Sequence, residues 1–237
     1  MVEKIFLTDS YMKEIDASVE AVDPDGIELD QTIFYPGGGG EPSDIGKISF
    51  NGNTFKVVKT SKKGEGILHA LDHESGLNVG EKVHCELDWE KRYKFMRHHT
   101  AIHVIGGLME HKYNALYTGG QIGFDRSHYD FDMPELNREL AEKIIQESQE
   151  IIDRNLEIRI KVLTKEQALQ IPNLVRTEPG RELIKRLNEV RVVEIVGFDI
   201  QMDGGTHVMN TKEIGKISLS GFENKGTHRK RINVTVD

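Results

Sequence analysis

The chain has 237 residues, of which 37% are hydrophobic and 30% charged, and its formal net charge is −8 at pH 7. That length buries a sizeable core and holds one large domain or two of ordinary size. No apolar run reaches the roughly 18 residues of a membrane span, the first residues lack a signal-peptide layout, and a lone cysteine, Cys85, excludes an intramolecular disulfide framework. These features point to a cytoplasmic protein with no membrane partner. The acidic balance requires that any polynucleotide be met by a local basic patch.

Short strands punctuated by turns fill the first part of the chain, to Asp88. Residues 18–22 and 26–29 flank Asp23-Pro24-Asp25-Gly26, a turn signal rather than a calcium loop, because the distal glutamate of an EF-hand is missing. A β-branched and aromatic run over 32–35 leads into Pro36 and four consecutive glycines, Gly37, Gly38, Gly39 and Gly40. Glycine permits positive φ and lets a backbone approach a ligand closely. With no GK[ST] and no helix signal behind it, this stretch is not a nucleotide phosphate loop. Further short strands over 46–50, 54–60, 66–71 and 81–87 predict a small barrel or sandwich.

The period changes at Asp88-Trp89-Glu90. Over 89–111, Tyr93, Met96, Ile102, Ile105, Leu108 and Met109 form a helical apolar stripe, with Asp88 as the N-cap, so the domains are expected at 1–88 and 89–237. His99 and His103 stand four residues apart in this helix, on one face, as two ligands of a single metal must. Residues 116–130 read as two strands around Gly119-Gly120 and Asp125-Arg126-Ser127. A long amphipathic helix opened by Asp132-Met133-Pro134-Glu135 follows. A strand over 157–162, two short helices and strands over 190–195 and 198–201 lead to Asp203-Gly204-Gly205-Thr206-His207. This turn offers a second pair of donors, and imidazole suits zinc well. Strands over 214–220 and 229–236 close the chain around its densest positive run, Lys225, Arg229, Lys230 and Arg231. That run is either a solvated hairpin tip or a phosphate contact. Helices and strands mix without βαβ alternation, so the second part is α+β.

The segment from Arg97 to His103, with its His99-Thr100-Ala101-Ile102-His103 core, resembles the HTAxH element of the alanyl-tRNA synthetase editing domain. Gly204-Gly205-Thr206-His207-Val208, followed by Glu213-Ile214-Gly215, resembles that domain's CGGTHV and EIG elements. The stretch from Phe34 to Asp44 is similar to the glycine motif of the small β-barrel domain that precedes it. The order of parts, covering nearly the whole chain, resembles AlaX, the free-standing relatives of that editing domain, in their medium-length form. The resemblance implies an N-terminal β-barrel domain and an α+β editing domain in which the HxxxH helix packs on an antiparallel sheet. It also implies one zinc per chain on His99, His103 and His207, and hydrolysis of serine, with glycine second, from the 3′ end of alanine tRNA. Thr100 and Thr118 are the hydroxyls expected to meet serine, and the glycines Gly37 to Gly40 the backbone expected to approach the substrate. Lys225, Arg229, Lys230 and Arg231 are expected on the acceptor stem. The metal would either activate the attacking water or anchor the substrate's amino group and orient the ester, and no side chain stands out as a general base.

Two positions depart from the family pattern. Asp203 stands where the metal-binding cysteine is usual. It either supplies a carboxylate ligand, stands off to leave three histidines and water, or hydrogen-bonds a ligand. Glu41 stands where glutamine is usual and is expected to point away from RNA or to pair locally. Two readings from other classes remain for comparison. A zinc protease needs a glutamate directly after its first histidine, where this chain has Thr100. A non-catalytic, metal-stabilised tRNA-binding module would need a metal site filled entirely by protein, and a deacylase of another aminoacyl-tRNA would ignore the acceptor-stem wobble pair.

Overall fold

Along the strands of the first part, buried and exposed side chains alternate, as half-buried sheet requires. The computed structural model describes residues 2–237. The chain divides into two compact units, Met1–Tyr93 and Lys94–Asp237.

In the first unit the order is β1 (Glu3–Lys4), β2 (Glu14–Asp23), β3 (Gly26–Leu29), β4 (Gln31–Thr32), β5 (Gly46–Phe50), β6 (Asn53–Lys63), β7 (Gly66–Leu71) and β8 (Lys82–Leu87). Six of these close into a barrel in the order β2-β3-β7-β6-β5-β8, while β1 and β4 pair in parallel. Val19, Ile27, Leu29, Ile48, Val57, Val83 and Cys85 fill the core. Register shifts between Val19 and Ala21 and between Val57 and Lys59 supply the bulges that bend strands for closure. Gly26 ends the β2–β3 turn at φ +151°, and a Cβ there would fall 2.1 Å from the His69 carbonyl oxygen, so only glycine fits.

His69 is fully buried and satisfied on both ring nitrogens. Nδ1 donates to the Ile27 carbonyl at 3.2 Å, and Nε2 accepts from the Thr32 hydroxyl at 2.8 Å. That hydroxyl in turn accepts the Phe34 N–H at 3.0 Å.

The glycine loop is tied at its base. All four of its glycines have positive φ (79°, 140°, 61° and 94° in order), a backbone that L side chains rarely adopt. Gly38 and Glu41 exchange backbone hydrogen bonds, and the Tyr35 hydroxyl donates to the Gly38 carbonyl at 3.1 Å. Glu41 is buried. Below the loop, Asp44 accepts the Tyr35 N–H and a fork of bonds from Arg92. Both side chains are almost fully buried, and Arg92 also donates to the Ser10 and Ile33 carbonyls.

The elements that follow are α1 (Trp89–Tyr113), β9 (Leu116–Gln121), β10 (Ser127–Asp132), α2 (Arg138–Asp153), β11 (Ile158–Thr164), α3 (Lys165–Leu169), α4 (Glu178–Ile184), β12 (Glu189–Ile195), β13 (Asp199–Met202), β14 (Ile217–Asn224) and β15 (Arg229–Val236). They form two antiparallel sheets, β14-β15-β10-β9 and β11-β12-β13. With the barrel, this is the mixed α+β architecture that the patterning predicts. Asp88 caps α1 by accepting the Lys91 N–H at 3.2 Å. The division between units nevertheless falls within that helix, after Tyr93.

Helix α2 starts later than its sequence suggests. Asp132 is still a strand residue paired with Arg229, and Asn137 is the true N-cap, accepting the Leu140 N–H. Gly119 and Gly120 lie within β9 rather than in a turn.

Candidate metal centre

Helix α1 carries His99 and His103, and the turn after β13 carries Asp203 and His207. One ligand atom from each of these four residues falls within 4.8 Å of the other three. Asp203 Oδ2 is 3.4 Å from His99 Nε2 and 3.9 Å from His103 Nε2, and its Oδ1 is 3.1 Å from His207 Nε2. Tetrahedral zinc with bonds of about 2.0–2.2 Å sets its ligand atoms about 3.3–3.6 Å apart. The four residues therefore fit such an ion. The histidine rings are 4.3–5.2 Å apart between centroids. All three are buried, and Asp203 is 18% exposed.

Electrostatics favour the ligand forms of His103, His207 and Asp203. Burial lowers the imidazolium pKa of His207 to about 4, helped by the neighbouring His99. Burial and His207 push His103 well down too. Burial works the other way on Asp203, but the surrounding histidines outweigh it and hold the carboxyl well below its usual range. Neutral imidazoles with an ionised carboxylate are the states that bind a divalent metal.

Neighbouring groups orient these donors. The Thr100 hydroxyl donates to the Met96 carbonyl at 3.0 Å and accepts the Val208 N–H at 3.2 Å. Its remaining lone pair lies 3.1 Å from His207 Nδ1. This arrangement places the His207 proton on Nδ1 and frees Nε2 for a metal. Asp203 Oδ1 accepts the Gly205 N–H at 2.6 Å, and Arg191 donates to the Asp203 carbonyl at 2.8 Å.

The segment carrying His207 is anchored further on. Asn210 caps the 3-10 turn Thr211–Ile214, and Arg97 donates to the Glu213 and Ile214 carbonyls. Gly215, at φ +79°, is required here, since a Cβ would lie 2.5 Å from the Arg97 guanidinium and 2.4 Å from the Asp237 carbonyl. His98, beside the ligands, is not one of the four. Its Nδ1 meets the Ser127 hydroxyl at 2.8 Å, and the Tyr129 hydroxyl donates to its carbonyl.

The remaining sequence candidates divide. On β9, Tyr117 pairs with Phe131 and Gly119 with Asp130, so Thr118 is the extra residue of a β-bulge. Bulges commonly re-aim a side chain beside a functional site. Thr118 is exposed, and its hydroxyl donates to the Asp130 carbonyl at 3.2 Å. Tyr117 was not a sequence candidate. Burial raises its phenol, and the carboxylates of Asp130 and Asp203 raise it further, which puts it within electrostatic reach of the centre. In the basic run, Lys225 is paired with Glu223, and Lys230 is buried with Nζ on the Gly226 and Thr227 carbonyls. Arg229 and Arg231 both bond Asp130.

Residues 2–91 match the family described as tRNA synthetases class II (A), and residues 190–233 match the threonyl and alanyl tRNA synthetase second additional domain. A protein of Saccharolobus solfataricus named alanyl-tRNA editing protein AlaX-M is 44% identical over the whole of this chain and 99% of its own length. The AlaX-M protein of Methanosarcina barkeri is 36% identical over the same shares of both chains. An alanine–tRNA ligase of Ignicoccus hospitalis is 34% identical over 91% of this chain, which corresponds to 24% of the ligase.

Proposed function

Because the chain belongs to the AlaX family of alanyl-tRNA editing proteins, we propose that it removes wrongly attached amino acids, serine first and glycine second, from the 3′ end of alanine tRNA by zinc-dependent ester hydrolysis. The observation that carries the zinc-dependent part is the convergence of His99, His103, His207 and Asp203 on one point. Bound zinc would act there as a Lewis acid, able to polarise water or to anchor the substrate's amino group. The partially exposed Asp203 marks the side from which an aminoacyl ester would enter. In this reading the histidine segment of α1 packs on the sheet holding β10, with Ser127 and Tyr129 reaching His98.

The chemistry explains why a separate editing site is useful. A pocket shaped for alanine can hardly exclude glycine and rejects one added hydroxyl only modestly. A site that hydrogen-bonds serine refuses alanine strongly. We assign the serine contact to Thr118, on its bulge. Thr100 already has three partners, so its role is to orient His207. The backbone of Gly37 to Gly40 is a proposed contact for the RNA terminus, through the N–H groups of Gly37, Gly39 and Gly40 because that of Gly38 bonds Glu41, and no side chain there blocks close approach. Within the basic run the exposed Arg229 is the best placed for the acceptor stem, whereas Lys225 and Lys230 have internal partners. We propose that the protein acts as a cytoplasmic translation factor.

The test is deacylation of Ser-tRNA and Ala-tRNA, both on alanine tRNA, with and without chelator. The expected result is rapid, metal-dependent loss of serine with alanine spared. A second reading draws on the fact that four side chains can complete a tetrahedral site, which suits a structural metal. If the chelated protein unfolds and the metal-loaded protein turns over neither serine nor glycine esters, that reading replaces the first.

A further inference from the structure

Asp130 sits on β10 opposite Arg231, with its side chain 1% exposed. Arg231 donates through Nε to Oδ1 at 2.7 Å and through Nη2 to Oδ2 at 2.9 Å. Arg229, on the same face of β15 two residues away, donates through Nε to Oδ2 at 3.0 Å, and its Nη2 reaches the same oxygen. A guanidinium has five N–H donors, and each arginine uses only one edge of its fork here. The outer edges have no partner among the described residues. Arg229 is 60% exposed and Arg231 18%. Glu223, opposite Arg231 on β14, and Asp132, opposite Arg229, add negative charge beside the pair, so what the cluster offers a phosphate is its free guanidinium edges rather than net charge. Burial alone would raise the Asp130 carboxyl, but the bonds from Arg231 and Arg229 hold it below the usual carboxylate range.

We propose that Asp130 is a positioning residue that aligns Arg229 and Arg231 as one preformed fork for a nucleic-acid phosphate. The inference rests on the RNA-partner reading above and deepens it, because it singles out two members of the basic run and gives their orientation a cause. A planar fork recognises phosphate bidentately, and an arginine already held in place loses little freedom on binding. The fork also adjoins Thr118, whose hydroxyl bonds the Asp130 carbonyl. A phosphate gripped there would locate the RNA backbone next to the proposed serine contact.

The opposite explanation treats the arginines as charge alone, which Asp130 merely dilutes. The two accounts differ in sign. If charge alone mattered, Asp130→Asn would tighten RNA binding and Arg229→Lys would leave it unchanged. If position matters, both substitutions loosen it. The probe is a fluorescent acceptor-stem RNA minihelix without amino acid, titrated into the full-length protein over a series of KCl concentrations.

We expect Asp130→Asn and Arg229→Lys each to weaken binding about tenfold, the scale of one charge-assisted bidentate contact. The slope of log K against log[salt] should become shallower by about one phosphate contact. Lys143→Ala, at an exposed position of α2, should bind as wild type. A purely structural defect lowers the active fraction without changing that slope. Arg229 lies at the surface, so its lysine variant keeps the test valid if Asp130→Asn misfolds. Wild-type binding by Arg229→Lys, tighter binding by a folded Asp130→Asn, or no binding of the minihelix by wild type at low salt would each overturn the proposal. Deacylation of seryl-tRNA by the same wild-type sample is scored separately, so a failed editing reading shows as absent turnover whatever the binding series gives.

Discussion

One buried histidine in the barrel and three in the second unit show how the same side chain is either matched by its own fold or turned toward a shared point. His69, in the barrel core, is neutral, and both of its nitrogens are matched by protein: a carbonyl for the N–H and a hydroxyl for the lone pair. In the second unit, His99, His103 and His207 turn their Nε2 atoms toward one carboxylate, and His103 Nδ1 has no hydrogen-bond partner among the described residues. Burial disfavours the charged imidazolium in both places. What differs is where the lone pairs point. In the barrel they end on a donor. In the second unit they converge on Asp203, around a point where one metal ion would meet all three.

The contrast is broken most severely at the metal centre. His99→Ala should abolish stoichiometric zinc binding, read by metal analysis, and lower seryl-tRNA deacylation by more than about 100-fold, beyond what losing an orienting partner alone costs. The matching change at His69 should leave zinc content intact.

His69 carries the next effect, in stability. Burial lowers its pKa from the ordinary 6.5 to about 4. Between those values the unfolded chain takes up a proton that the folded chain refuses, so stability falls as pH drops below 6.5, and the loss is complete near pH 4. The full loss amounts to about 3 kcal/mol. His69→Gln, whose amide can both donate and accept, should flatten the difference in urea unfolding free energy between pH 7 and pH 4.5 compared with wild type.

Thr100→Val sharpens the comparison from the ligand side. It keeps the shape but removes the oxygen that fixes the His207 tautomer. Zinc affinity, measured by competition with a chromogenic chelator, should fall 10–100-fold. The smallest change expected is for Asp203→Cys, which replaces a carboxylate by the thiolate usual at this position. Zinc affinity should be held or improved, while Asp203→Asn should weaken it; equal affinity for Asn and Asp would place the carboxylate outside the metal's coordination.

What could be read from the sequence follows the range of each interaction. The HxxxH spacing is a helical fact, and the Asp203–His207 spacing is a turn fact, so both pairs were visible before any fold was known. The barrel announced itself in strands of short, even spacing. Arg92 and Asp44 are separated by 48 residues, and nothing local marks either as half of a buried pair. The same holds for Asp130, 99 residues before the arginine it binds. The basic run looked like free charge only because Glu223 and Asp130 do not announce themselves as its partners. Tyr117 was hidden by a bulge, a one-residue event that strand periodicity does not encode. The start of α2 was misplaced because Asp132, a good capping residue by type, was taken up by the ladder with Arg229.

The clasp beneath the glycine loop bears on how fast a ligand could be captured. Four glycines in sequence would ordinarily give a segment of high conformational entropy, and ordering it on contact would subtract from affinity and slow the productive encounter. Here the Gly38–Glu41 bridge, the Tyr35 hydroxyl and the Arg92–Asp44 fork settle the loop's conformation when the barrel folds. An arriving RNA end would therefore meet a fixed surface, and its rate of capture would be governed by diffusion and orientation rather than by a wait for the loop to take shape.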